Sequence, residues 1–294
     1  KSFPGMAPTA DLWGTVTIWP AGAPGPMPHI TEENKPIPDI TCWRDFVKVP
    51  DLIANCSAEE LWTPYIERTM AVDRSEQLVT CFAPTGVFER LHFLMGFEDT
   101  LVNLMLEPEA MEDLCAAIGE YRYNGFKLMV DSVHPDVMLS HDDWGSKTSL
   151  FMQPDTWREF IKTHYQKGYD YLHDNGVLIM HHSDSYGETI VPYMIEMGID
   201  IWQGVMTSNN IPELIEKYGD KIGDKISFLL MINDYDSTGA LGSRIMISAD
   251  PVNGSNQWSV SKIGYIGFNY APYTGDNSMV TVIASVVALV AAAA

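Results

Sequence analysis

Two short stretches hold most of the groups able to do chemistry: "SHDDWG", Ser140–Gly145, and "LIMHHSDSYGETI", Leu178–Ile190. In each, an apolar run breaks off into imidazole and carboxylate side chains. If the apolar runs are strands, their side chains alternate between two faces. His182 and Asp184 then share one side with His181 opposite, and His141 and Asp143 share a side with Asp142 opposite. Adjacent strands would bring two imidazoles and two or three carboxylates within mutual reach. Such a set suits either of two tasks. Imidazole nitrogen and carboxylate oxygen are ordinary ligands for zinc and other divalent metals. A His–carboxylate pair can also move protons, the carboxylate fixing the tautomer and raising the basicity of the ring. The reading centres on His182 and Asp184 as catalytic residues and metal ligands. Asp142 and Asp143 are further catalytic candidates, with loop structuring an equal alternative. His181 is expected to hydrogen-bond within the core and Ser185 to cap a helix.

Other residues are expected to line the same mouth and bind substrate. His141 is one, and Glu89 and Arg90 in "GVFERLHFLMG" are two more, although a structural Arg–Glu pair would explain those two equally well. Trp13 is placed as an apolar wall. Trp202 and Gln203, just past an apolar run, offer a stacking face and an amide. Trp157 and Tyr165 are read as helix packing, and the methionines as core filler. Cys42, Cys56, Cys81 and Cys115 show no CxxC spacing and are expected as reduced, packed thiols.

The elements that must position these groups alternate. Strands are expected at Leu12–Trp19, Gln77–Phe82, Asp136–Ser140, Val177–His182 and Ile199–Val205. Helices are expected over 57–73 (Ser57 as N-cap, Glu60 three residues on), over 107–133 with Pro108 in the first turn, over 153–176, over Glu188–Met197 and over 211–219. Residues 83–99 read as a glycine-bearing loop, and the first fifty residues as irregular and rich in Pro and Gly. Apolar, non-alternating strands separated by helices imply a parallel sheet with covered faces. For 294 residues a single-domain (β/α)8 TIM barrel is the leading architecture, with an open doubly wound sheet as runner-up. No GxGxxG or GxxxxGK[ST] occurs.

The net charge is −21, from 18 basic and 39 acidic residues, which argues against nucleic-acid partners. No segment before the last twenty residues is apolar enough to span a bilayer, and no secretory signal opens the chain; a cytoplasmic location without membrane attachment is expected. The chain starts at Lys1 rather than Met, so a few preceding residues are expected. Residues 221–294 contain no Glu, His or Cys, carry a net charge of −1 against −20 before them, and come after a tandem "GDKIGDKI". We read this tail as sequence whose assignment is in question rather than as a domain with an apolar terminal helix, and place no site residue in it.

The stretches "DLWGTVTIW", "DITCWRDFVKVPDL", "GVFERLHFLMGFEDTLVNLMLEPEAMEDL", "DVMLSHDDWGSKTSLFMQPDTWREFIKTHY" and "GVLIMHHSDSYGETIVPYMIEMGIDIWQGV" resemble the uroporphyrinogen decarboxylase superfamily over residues 11–222. The better fit is its branch of cobalamin-dependent methyltransferases from anaerobes. The resemblance implies a TIM barrel with its site at the strands' C-terminal mouth. It also implies a corrinoid protein as partner, a small-molecule methyl donor or acceptor, and a role in one-carbon metabolism such as O-demethylation. A homodimer is among the expectations. In that branch a zinc ion is held by a His-x-Cys pair and a later Cys. His182 falls on the first ligand, but Asp184 stands where the thiolate would be and no later Cys exists, which implies an oxygen-rich site suited to an alcohol or ether. A metal-free site, with His182 and Asp184 acting on protons, is the alternative. A decarboxylase of a small carboxylated substrate is the second functional reading. Uroporphyrinogen itself carries eight carboxylates, and an acidic chain with seven arginines and no "RQAGR"-like segment offers no cationic cleft for it. A non-catalytic barrel that binds a corrinoid protein is the third.

Overall fold

The computed structural model describes residues 5, 7–21, 26–56, 59–206 and 208–222, and beyond these the backbone of four strands within 227–285. The chain opens with a small antiparallel sheet of β1 (Thr9–Ala10), β2 (Val16–Ile18) and β3 (Met27–Pro28). Short helices α1 (Trp43–Phe46) and α2 (Leu52–Cys56) and the longer α3 (Glu59–Met70) come next. Then comes the alternation the sequence announces: β4 (Leu78–Ala83), α4 (Val87–Met95), α5 (Phe97–Leu106), α6 (Pro108–Val133) and β5 (Val137–His141). The second half continues with α7 (Pro154–Trp157), a π turn over Arg158–Lys162, α8 (Thr163–Asp174), β6 (Leu178–His182), α9 (Val191–Glu196), β7 (Ile201–Val205) and α10 (Ile211–Ile222). Last are β8 (Ser227–Ile232), β9 (Arg244–Pro251), β10 (Trp258–Ile266) and β11 (Ile283–Ser285).

The main sheet runs β10-β9-β8-β7-β6-β5-β4-β11. Strands β4 to β7 are mutually parallel and β8 continues in the same direction, whereas β9, β10 and β11 join antiparallel. The fold is therefore mixed α/β. Among the described strands β10 and β11 lie at opposite ends of the order, and the full eight-stranded barrel expected from the sequence is not shown. The doubly wound alternative fits less well. Its strand order reverses at a switch point, while β4 to β8 succeed one another in chain order.

That order has a physical consequence. Crossovers between parallel neighbours are almost always right-handed, so consecutive strands put all their helices on one face. The burial agrees. Val79 and Cys81 of β4, Met138 and Ser140 of β5, Ile179 and His181 of β6 and Trp202 of β7 are all buried. On the opposite face Thr80 and Val137, early in their strands, are also buried, and toward the C-terminal ends Phe82, Leu139, His141, Met180, His182 and Gln203 are only half-buried. The covered face joins Met111, Leu114, Cys115, Ile118 and Phe126 of α6 in one apolar core, each large side chain contributing about 2 kcal/mol by its removal from water.

Local signals explain most of the elements. Pro108 occupies the first turn of α6, where a missing N–H costs nothing, and the helix stops at His134 in left-handed backbone (φ 51°). Gly176 (φ 71°) turns the chain from α8 into β6. Three expectations change. The strand expected at Leu12–Trp19 shrinks to β2, because Asp11 folds its carboxylate back onto the amides of Trp13 and Thr15 (both 2.9 Å) and makes a turn there. The loop expected over 83–99 is two helices, α4 and α5, joined at Gly96 (φ 91°). Ser57, the expected N-cap, and most of the tail lie outside the described residues.

Candidate active site

The register of the parallel strands sets the site. His141 pairs with His182, and His182 with Gln203, so three polar side chains form a row across β5, β6 and β7 on the half-buried face. The two imidazoles lie parallel, 4.5 Å apart at 14°. Asp143, just past β5, brings its Oδ1 to 4.0 Å from His182 Nε2 and accepts the Asp184 amide at 3.1 Å. His141, Asp143 and His182 each offer one ligand atom within 4.8 Å of the others, a group able to converge on a metal ion.

Each imidazole is oriented through its other nitrogen. His141 Nδ1 bonds Glu89 Oε2 at 2.9 Å, and His182 Nδ1 bonds Gln203 Oε1. Both rings therefore turn Nε2 toward the shared space. An acceptor fixing the remote N–H is the usual support for a metal-binding histidine. The donor set, two imidazole nitrogens and a carboxylate oxygen, fits zinc with a fourth position open, and fits iron in the same geometry.

The charges are tightly coupled. Burial alone would lower the basicity of His141, but the hydrogen bond and charge of Glu89 outweigh it and raise the pKa to about 9. Glu89 goes the other way: burial disfavours its charge, yet the His141 contact and the Gly86 amide hold its pKa below the usual range. Burial and the facing His141 lower that of His182. Burial, countered in part by His141 and reinforced by Glu89 and Asp184, raises Asp143 to about 7. With no metal, the pocket thus holds an imidazolium at His141 in the midst of carboxylates. A divalent cation bound there would take the place of that proton.

The reverse face of the same strands is closed, and its two ionisable groups, Asp142 and His181, are hydrogen-bonded. Asp142 is fully buried and accepts from the amides of Phe88 (3.0 Å) and Glu89 (2.8 Å), from Trp144 Nε1 (2.9 Å) and from the Tyr165 hydroxyl (2.8 Å). His181 is stacked on Trp144 at 4.0 Å and bonded to the Tyr169 hydroxyl at 2.8 Å. The Tyr169 hydroxyl and Arg122 Nη2 both reach Ser140.

The structure redirects several expected residues. Asp142 is not a pocket residue, since its carboxylate is spent on four donors across the sheet. Arg90 does not pair with Glu89: its guanidinium meets Asp11 at 2.6 Å and lies over the Trp13 ring, tying α4 to the N-terminal segment. Trp13 is buried edge-on to Tyr121 rather than lining a mouth. Trp202 is buried too, donating to the Ser183 carbonyl at 2.9 Å. Asp184 sits exposed at the rim, outside the group of three, and His141 takes the place expected for it. Ser185 bonds Ser183, and the next helical turn has Gly187 as its N-cap. Glu89 and Gln203, expected to touch substrate, instead orient the two histidines. Glu89 also accepts the Gly86 amide at 3.2 Å, the one half of a capping box that a glycine N-cap allows, while Asp142 takes the Glu89 amide.

With this geometry established, comparison with known proteins adds one finding. No family model matches the chain, and no curated protein matches it. Among solved structures it matches a methyltransferase from Methanosarcina mazei with a TM-score of 0.56 and 16% identity, over 74% of this chain and 59% of that one. The fold is shared with a methyltransferase. At that identity the likeness concerns fold alone, and this chain spans 59% of the length of the protein it resembles. No helix among the described residues is long and apolar enough to cross a membrane.

Proposed function

We propose that the chain is a methyltransferase moving a methyl group between a small methylated compound and a corrinoid carried by a partner protein, assisted by a divalent metal, zinc in the first instance. The ligands would be His141, Asp143 and His182. The single observation that carries the reading is their convergence at the C-terminal ends of adjacent parallel strands, each histidine held from behind by Glu89 or Gln203. The likeness in fold to a methyltransferase supports it, and the consecutive parallel order of β4 to β8 supports a (β/α)8 barrel as the parent architecture. When bound, the metal would supply Lewis acidity to the substrate oxygen that leaves as the methyl group passes to the reduced corrinoid, with a proton from solvent completing the alcohol. The protein's own part is to hold both imidazoles in place from behind, through Glu89 and Gln203, with the Phe82 ring edge-on 6.2 Å from His141. No cysteine joins the group of three, so an oxygen-bearing substrate, an alcohol or methyl ether, suits it better than a thiol.

The test has two parts: metal content of the purified protein, and methylation of a reduced corrinoid protein by candidate methyl donors. Both should fail in His182→Ala. Undiminished methyl transfer in that variant would reject the site. One observation favours a second reading, a decarboxylase of a small carboxylated substrate: the Glu89 carboxylate, 2.9 Å from His141 Nδ1, favours the protonated ring, a cation for a substrate carboxylate. CO2 release without corrinoid or metal would select it.

A further inference from the structure

The buried carboxylate of Asp142 belongs to no reacting group, yet it lies between two residues that do. We propose that Asp142 is a positioning residue whose carboxylate clamps the first turn of α4 to the end of β5, and so sets Glu89 against His141 Nδ1. The inference deepens the metal-site reading and rests on it for its functional meaning.

Three observations converge. Oδ2 and Oδ1 of Asp142 accept the amides of Phe88 and Glu89, two of the N–H groups that the start of α4 leaves without intrahelical partners. The Glu89 side chain springs from that same turn and reaches His141 at 2.9 Å, one residue before Asp142. A second brace closes the arrangement, because the Tyr165 hydroxyl donates to Asp142 and accepts from the Val87 amide at 3.1 Å. Room for this clamp exists only because residue 86 is glycine: a Cβ there would overlap Asp142 Cγ and the Tyr165 hydroxyl. The backbone at Gly86 (φ −71°, ψ −169°) is open to any residue, so its glycine answers to the clamp and not to the chain path. A charged acceptor on a helix start is also favoured by the helix dipole. The clamp therefore acts at a distance on the imidazole, through one helical turn and one carboxylate.

The test uses the metal-free full chain, labelled with 15N in its histidine rings. A hydrogen-bonded Nδ1 proton of His141 should give a downfield resonance, assigned by its loss in His141→Gln. Asp142→Asn and Gly86→Ala should both lose or broaden that resonance while the other histidine signals persist. Zinc affinity, read by competition with a chelator, should fall by about 10- to 100-fold in both, matching Glu89→Gln. A purely structural Asp142 would leave the resonance in place, so its persistence in a folded variant overturns the proposal, as does its absence from the parent protein. If Asp142→Asn does not fold, Gly86→Ala decides alone. Should the parent bind no zinc while the variants still lose the resonance, the metal reading fails and the clamp stands.

Discussion

The two faces of the β5–β6 rim present the same residue types to opposite fates. Asp142 and His181 are buried and fully engaged, while their immediate neighbours His141, Asp143 and His182 are half-exposed with one ring nitrogen or carboxylate oxygen left over. Nothing in their chemistry separates an aspartate that braces a helix from one that can hold a metal. Strand parity does, by sending alternate side chains at the strand ends to a packed helix layer or to a half-buried face. The lesson is that donor count distinguishes the two roles: Asp142 meets four donors, Asp143 meets one amide and keeps capacity to spare.

Substitutions on the two faces should separate stability from binding. The largest effect is expected from Asp142→Ala, which strands four buried donors and should lower unfolding free energy by about 4 kcal/mol or more in urea titration. An unchanged midpoint would erase the contrast. His182→Ala should leave unfolding within about 1 kcal/mol of the parent but weaken zinc binding by more than the roughly 100-fold attached to loss of a supporting partner, measured by calorimetry. Gln203→Ala, which frees His182 Nδ1, should weaken it by about 10-fold. The smallest effect concerns Cys81 on the packed face. Burial pushes its thiol up to about 12, so near neutral pH it should resist alkylation in the folded protein and react only on unfolding, as monitored by mass spectrometry. Prompt labelling would show that the helix layer is looser than its packing implies.

Much of this contrast is legible in the sequence, because parity needs only the recognition of two strands. The placement of His141 with Asp143 and of His182 opposite His181 comes from it directly. The choice of third group does not. Whether Asp184 or His141 joins His182 is fixed by register between strands about forty residues apart, which no local pattern encodes. Arg90 has an acidic neighbour one residue away in sequence, yet its partner is Asp11, 79 residues back. Residues 83–99 resemble a loop because Gly86 and Gly96 bracket the run, yet those glycines begin and end helix α4.

Glu89 holds two posts at once, closing the start of α4 on the Gly86 amide and anchoring the His141 ring. A lineage that needed a less basic ring could not obtain it by trimming this carboxylate without also fraying the helix that carries it. Retuning of that ring would have to come from groups other than Glu89.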